Sequence, residues 1–164
     1  MDELLRVHTP CHVRLGALAY WVVWYSDDTD GVATGRNGFV RTWSSSESLR
    51  QDCVEVDLDA SVELDLGTVL TPPRATPDCK DILDIWNFLT DVHRTVGLPD
   101  FERVAPRRTV DRVYGKIFSG CNLPTLTPKG QTYNPVWTRA EERVLRRVLQ
   151  KGIAAFSRVV QPAA

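Results

Sequence analysis

Residues 17–25 read ALAYWVVWY, a run in which apolar, β-branched and aromatic side chains follow one another without polar alternation. Such a run is typical of a central strand that is covered on both faces. Turn-forming residues follow at 27–31 (DDTDG) and at 36–38 (RNG). Residues 39–43 (FVRTW) then predict the returning strand of a hairpin. The sequence therefore predicts that the fold begins with an antiparallel β-sheet.

The next segment combines a helix signal with a strand signal. Serines at 44–46 offer N-caps for a short helix that ends near Gln51. From residue 52 onward, apolar and acidic residues alternate, which is the period of a half-buried strand. The apolar positions of this alternation are Val54, Val56, Leu58, Val62, Leu64 and Leu66. The pattern predicts either two short strands or one irregular strand and leaves both open.

A proline-rich connector at 71–77 (TPPRATP) leads into a helical second half. Asp78 is a good N-cap for a helix over 79–96, and Gly97 is typical of the position just beyond a helix end. One apolar stripe of this helix contains Ile82, Ile85, Trp86, Leu89, Val92 and Val96, and Asp84, Asn87, Asp91 and Arg94 lie opposite. We expect Trp86 to be buried between the sheet and the last helix.

Two more helices complete the predicted fold. One begins at Thr109, and the last follows Thr138, which forms a capping box with Glu141. Between them, residues 119–137 contain too many glycines and prolines for regular structure, and long loops of this kind often carry function. We predict an α+β fold in which an N-terminal antiparallel sheet packs against C-terminal helices. The predicted organisation is one domain over 1–164, β-rich at 1–70 and helical at 78–164.

Composition places the chain among ordinary globular proteins. It has 164 residues, of which 43% are hydrophobic and 25% charged. The longest apolar run, nine residues, is about half of what a bilayer requires. The acidic start does not resemble a secretory signal, and the four cysteines, Cys11, Cys53, Cys79 and Cys121, form no C-x-x-C pair. We expect a cytoplasmic protein with free thiols and no membrane partner.

The near-zero net charge hides an asymmetry along the chain. Residues 1–100 contain 8 basic and 17 acidic side chains, whereas residues 101–164 contain 12 basic and 4 acidic ones. The acidic excess is concentrated at 52–65, where no basic residue intervenes. We predict that Asp57, Asp59, Glu63 and Asp65 bind a cationic protein partner. The alternative is that the two halves pack together and pair their charges. A nucleic-acid partner is not expected, because such proteins are usually basic overall.

Candidate metal and catalytic residues are few. Residues 8–12 (HTPCH) contain three potential ligands, but zinc sites usually combine two separated pairs, so neither a metal nor a cofactor is expected. His93 lies on the same helical stripe as Ile82, Trp86 and Leu89, and it is either a general base or a core residue with locally satisfied nitrogens. No phosphate-binding loop or nucleophile elbow occurs. We therefore assign no catalytic residue.

Residues 114–133 carry the most distinctive pattern, Y-x-K-I-F-x-G-x-N-L-P-x-x-T-P-x-G-x-x-Y. This segment, together with residues 82–87 (ILDIWN), resembles small bacterial immunity proteins of polymorphic toxin systems. The resemblance covers residues 80–150 and implies a cytoplasmic protein that neutralises a toxin domain by binding it. We predict a non-enzymatic binding protein of this type, whose acidic stretch would suit a basic toxin domain. A structural alternative is a loop whose Leu123, Tyr133 and Trp137 plug into the core. The alternative function is a small enzyme or ligand-binding domain, with the 119–137 loop as a pocket wall and His93 or Asp91 as acid or base.

Overall fold

The computed structural model describes residues 7–26, 28–68 and 78–160, so the predicted connector at 71–77 lies outside the described residues. Among these residues the elements follow one another as β1 (Val7–Leu15), β2 (Leu18–Ser26), β3 (Gly31–Val32), α1 (Ser46–Asp52), a 3₁₀ turn (Leu58–Ala60), β4 (Val62–Asp65), α2 (Cys79–Val96), α3 (Arg107–Gly120) and α4 (Arg139–Val159). The predicted α+β class is confirmed. No helix within these ranges is long and apolar enough to cross a membrane.

The described strands form one four-stranded sheet in the order β3-β2-β1-β4. β1 and β2 make an antiparallel hairpin, and β3 pairs antiparallel with β2. β4 pairs parallel with β1, in the register Cys11↔Val62 to Arg14↔Asp65. The sheet is therefore mixed rather than wholly antiparallel, because the long connection through α1 returns the chain in the direction of β1.

The sheet is covered on both faces at its centre. Val22 belongs to the main core with the helices, whereas its neighbour Val23 packs with Trp43 and Leu49 on the opposite face. Consecutive strand residues point to opposite faces, so the two valines separate two hydrophobic clusters. The predicted coverage is correct at this point but not at the start of β2, where Leu18 is 55% exposed.

Two predicted strands are absent from the described residues. Residues 39–43 form only isolated bridges, such as Trp43 with Trp21, in place of a returning strand. The alternating residues 54–58 form a turn and the start of the 3₁₀ helix, and Val54 is 88% exposed. The second half of the alternation is correct, because Leu64 is buried on β4 and Leu66 is buried just beyond it.

The helices begin and end close to the predicted positions. α1 begins after the N-cap Ser45, and α2 begins after Asp78. Gly97 follows the last residue of α2, and its φ of 70° is the left-handed conformation that favours glycine. α3 begins two residues earlier than predicted, at Arg107, and α4 has the predicted capping box of Thr138 and Glu141.

α2 is the most enclosed helix, because it lies between the sheet on one side and α3 and α4 on the other. Its predicted apolar stripe is buried except for the half-buried Val96, and Leu83 and Phe88 are buried as well. Asp91, predicted on the solvent side, is only 6% exposed, because that side of the helix faces Trp24 of β2.

Candidate functional site

Two of the carboxylates predicted to bind a partner lie at the 3₁₀ turn and point to solvent. Asp57 is exposed, and its Oδ1 accepts a hydrogen bond from the Asp59 backbone N–H at 3.0 Å, which caps the turn. Asp59 is exposed, and its carboxylate has no polar contact within the part of the chain that the structure describes. The turn therefore presents two carboxylates at the surface without a basic neighbour.

The other two predicted carboxylates have basic neighbours on β1. Glu63 Oε2 lies 2.9 Å from His12 Nδ1, and the Arg14 guanidinium donates to Asp65 Oδ2 at 3.1 Å. Burial opposes ionisation of Asp65, but hydrogen bonds from the turn at 66–68 and the charge of Arg14 outweigh it and lower the pKa of this carboxyl. No basic residue lies near Glu63 or Asp65 in the sequence. In the folded chain, the parallel pairing of β1 with β4 places His12 and Arg14 beside them, although the paired residues are 51 positions apart.

The arginine-rich helices do not neutralise the acidic segment. On the exposed faces of α3 and α4, several guanidiniums make no ion pair with any residue in the described ranges. They belong to Arg108, Arg112, Arg139, Arg143, Arg146, Arg147 and Arg158. These arginines therefore do not pair with the described acidic residues of the first half of the chain, which the alternative prediction required. The acidic segment and the basic helical faces form separate surfaces.

The loop between α3 and α4 presents apolar side chains to solvent. Leu123, Leu126, Tyr133 and Val136 are each between 36% and 81% exposed. The predicted plugging of the loop into the core is wrong for Leu123 and Tyr133. Only Trp137, the third predicted plug, packs against the core, where it is half-buried.

Hydrogen bonds nevertheless fix the backbone of this loop. Asn122, at a φ of 49°, donates its side-chain amide to the carbonyls of Gly120 and Tyr133, at 2.9 and 3.0 Å. Its Oδ1 accepts from the Tyr133 backbone N–H at 2.6 Å. Lys116 donates to the Val136 carbonyl at 2.8 Å and to Glu141 at 2.7 Å. The loop is thus tied at two points while its apolar side chains remain outside.

A cleft of about 430 Å³ lies between α2, α3, the end of β2 and the connection at 97–106. Aromatic residues Trp24, Trp86 and Tyr114 contribute to its walls. Four carboxylates also line it, on Asp30, Asp91, Glu102 and Asp111, together with the guanidiniums of Arg94 and Arg107. No residue of the 119–137 loop lines this cleft, so the predicted pocket wall is wrong.

Two carboxylates of the cleft are each held between an indole and a guanidinium. Trp24 Nε1 donates to Asp91 Oδ2 at 2.8 Å, and Arg94 lies 3.2 Å from Asp91 Oδ1. In the same manner, Trp86 Nε1 donates to Glu102 Oε1 at 2.8 Å, and Arg107 donates to Oε2 at 2.6 Å. Burial is the main reason that the pKa of Asp91 is raised, and Trp24 and Arg94 only partly offset it. Both side chains are fixed before any ligand arrives.

His93 is a core residue rather than a catalytic base. It is 5% exposed, its Nδ1 lies 3.0 Å from the Pro99 carbonyl, and its ring packs against Phe101 at a centroid distance of 4.6 Å. It does not line the cleft, because its position on α2 faces the connection at 97–106 and α4. Of the two residues named as possible acid or base, only Asp91 reaches the cleft.

The histidines and the cysteine at 8–12 do not converge. Strand alternation points Cys11 into the core, whereas His8 and His12 lie on the opposite face of β1. Burial raises the pKa of the Cys11 thiol to about 12, and His12 stacks on Trp21 at 4.9 Å. The described residues contain no group of three or more His, Cys, Asp or Glu side chains placed to hold a metal ion.

The chain matches no protein-family model, no curated protein and no solved structure. The resemblance to immunity proteins therefore stays a prediction, based on residues 80–150. Within that range, the sequence pattern indicated the importance of the loop but not its exposed apolar surface. The cleft had no local signal, because its walls come from residues 24 to 114 and meet only in the folded chain.

Proposed function

We propose that this protein is a non-enzymatic binding protein of the bacterial immunity type, which neutralises a toxin domain by binding to it. The observation that carries the proposal is the loop at 121–138. Its apolar side chains stay at the surface although its backbone is held by hydrogen bonds. Exposed apolar patches on otherwise soluble domains commonly mark protein–protein interfaces. A fixed loop also loses little conformational entropy on binding, which favours affinity.

The acidic segment supports the second part of the proposal, that the partner is basic. Glu55, Asp57 and Asp59 are exposed around the 3₁₀ turn, and within the described residues their one ion-pair contact is His8 Nδ1, 3.8 Å from Glu55 Oε2. Carboxylates on a surface accelerate association with a cationic partner and select against anionic ones. Within the described ranges, no arginine of α3 or α4 forms an ion pair with these carboxylates, so they stay available to a partner.

The loop and β4 both lie beside α2. Gly120, at its start, approaches Cys79 so closely that an added Cβ would lie 2.5 Å from Sγ. Cys79 is the first residue of α2, and α2 also packs against β4. Because α2 lies beside both the loop and β4, we infer that one partner contacts the loop and is attracted by the acidic segment.

The second candidate function, a ligand-binding domain, is favoured by the cleft. Its aromatic and charged walls provide the combination that small-molecule sites use. Catalysis is less well supported than binding. The oxygens of Asp91 and Glu102 are already engaged by indoles and guanidiniums, and His93 lies elsewhere. We therefore treat the cleft as a binding site.

The direct test begins at the gene: the proposal predicts that a neighbouring gene encodes a toxin domain, and that domain is purified as the partner for the binding assay. Binding is measured by calorimetry with the unmodified chain and with Leu126→Ser/Val136→Ser, which removes two apolar side chains that are 64% and 81% exposed. The matched control is Leu18→Ser/Phe39→Ser, which changes two exposed apolar residues that lie outside both the loop and the acidic segment. We expect the loop variant to weaken binding by about tenfold or more and the control to leave it unchanged.

Two results would contradict this proposal. If the toxin domain does not bind the unmodified chain, the immunity-type function is wrong. If both double variants bind as the unmodified chain does, a partner exists but does not use the loop. Melting temperatures of both variants serve as the control for folding, because exposed substitutions usually change stability by less than about 0.5 kcal/mol.

A further inference from the structure

The cleft carries more acidic than basic groups, and its basic groups are already committed. Arg107 lies 2.6 Å from Glu102 and 2.8 Å from Asp111, and Arg94 contacts Asp91 and the Asp30 backbone carbonyl. Three carboxylates, those of Asp91, Glu102 and Asp111, thus share two guanidiniums, and the carboxylate of Asp30 pairs with neither. The walls of the cleft keep an excess of negative charge after every internal ion pair has formed.

Of the carboxylates that line the cleft, that of Asp30 is the least neutralised by neighbouring groups. Its carboxylate makes no hydrogen bond or ion pair inside the described ranges. It is close enough to Asp91 that repulsion between the two carboxylates helps to raise the pKa of Asp91. A positive charge placed between them would relieve this repulsion. The site therefore favours a cation over a neutral molecule or an anion.

Aromatic rings provide a second attraction for an organic cation. Trp24 and Tyr114 are both half-buried, and each contributes to the wall of the cleft. The faces of such rings attract guanidinium and ammonium groups. Both side chains are also fixed, since the Trp24 indole donates to Asp91 and the Tyr114 hydroxyl donates to Asn87 Oδ1 at 2.9 Å. A metal ion would not gain from these rings, whereas an alkylated cation would.

We propose that this cleft binds an organic cation of the guanidinium or ammonium class, in contact with Asp30, Asp91 and the rings of Trp24 and Tyr114. The ligand is either a free small molecule or an arginine or lysine side chain of a bound protein. This proposal rests on the second candidate function, because it names the ligand class of the cleft; the site is separate from the loop at 121–138 and does not depend on a toxin partner.

The test is a titration followed by two-dimensional ¹⁵N–¹H NMR of the unmodified chain, whose five tryptophans give indole N–H signals. The Trp24 and Trp86 signals are assigned with Trp24→Phe and Trp86→Phe. The probes are N-acetyl-argininamide, its neutral analogue N-acetyl-citrullinamide, and inorganic phosphate. We expect the arginine probe to shift both indole signals saturably, with at least tenfold weaker binding of the citrulline probe and no shift with phosphate.

A matched pair of variants locates the site. Asp30→Asn removes the uncompensated carboxylate, and Asp28→Asn makes the same change at an exposed residue that does not line the cleft. We expect about five- to tenfold weaker binding of N-acetyl-argininamide by Asp30→Asn and unchanged binding by Asp28→Asn. Equal binding of the charged and neutral probes, preferential binding of phosphate, or no effect of Asp30→Asn would overturn the proposal.

The source of the cation is distinguished by two further probes. Agmatine represents a free small molecule, and the end-blocked peptide Gly-Gly-Arg-Gly-Gly represents a protein side chain. Tighter binding of agmatine favours a small-molecule ligand, whereas tighter binding of the peptide favours a side chain from a partner. Because none of these probes is a toxin, a negative result here leaves the proposed immunity-type function intact.

Discussion

Truncation of Trp86 is expected to destabilise the fold more than any surface change. The side chain is 1% exposed, and its ring meets Tyr114 edge-to-face at a centroid distance of 5.3 Å. Its indole N–H also donates to Glu102 at 2.8 Å. The structure confirms the predicted burial, although these contacts lie with α3 and the connection at 97–106 rather than with the sheet and the last helix.

The expected cost of Trp86→Ala is about 3–5 kcal/mol, from lost transfer free energy and from the cavity that remains. The aromatic pair accounts for about 0.5–1.5 kcal/mol of this sum. Trp86→Phe separates the contributions, because it keeps a ring but removes the donor to Glu102. Loss of a hydrogen bond to a charged group costs about 1–3 kcal/mol. We therefore expect the phenylalanine variant to lie between the unmodified chain and Trp86→Ala.

The measurement is guanidinium denaturation followed by far-UV circular dichroism, because fluorescence would change with the removal of a tryptophan. Val136→Ala, at a side chain that is 81% exposed, serves as the control and should change stability by less than about 0.5 kcal/mol. A loss below about 1 kcal/mol for Trp86→Ala would refute the packing of α2 against α3. Equal losses for Trp86→Phe and Trp86→Ala would show that the hydrogen bond, and not the packing, dominates.

Two further predictions concern α4. The hydrogen bond from Lys116 and those from the capping box lower the pKa of Glu141 below its ordinary 4.5, so its stabilisation is present above pH 4.5 and is lost as the pH falls through the lowered value. Glu141→Gln should therefore lower the free energy of unfolding by about 1–2 kcal/mol in urea denaturation at pH 7, and by progressively less below pH 4.5. A loss that does not change with pH would exclude the charge as the cause. Gly152→Ala would place a Cβ 2.9 Å from both Leu89 and Phe101, and overpacking of about 1–3 kcal/mol should exceed the roughly 1 kcal/mol gain in helix propensity. A higher melting temperature for this variant would show that the two side chains move aside.

Local signals in the sequence were sufficient for the helices. The helix ends are set by Asp78, by Gly97 and by the capping box of Thr138 and Glu141. Their hydrogen bonds reach only a few residues along the chain, so the local sequence is enough to predict these ends. The polar face predicted for α2 was wrong at Asp91, because a single helix pattern does not show which neighbour will cover a charged group.

Strand pairing was the part that the sequence left undetermined. Alternation predicts a strand equally well at 54–58 and at 62–66, yet only the second segment finds a partner, on β1. The parallel register also explains why Glu63 and Asp65 have basic neighbours that lie 51 residues away. Contacts between residues far apart in the chain cannot be predicted from local composition. The cleft could not be predicted for the same reason, because its walls come from distant segments.

The central claim, neutralisation of a toxin domain by binding, is tested most directly by cell survival. The toxin domain that the proposal predicts in a neighbouring gene is expressed from an inducible promoter, alone or together with this protein, and surviving colonies are counted. We predict that the toxin domain alone prevents growth, that the unmodified protein and Leu18→Ser/Phe39→Ser restore it, and that Leu126→Ser/Val136→Ser restores it less well. Equal killing with and without the unmodified protein, at matched toxin levels, would contradict the claim.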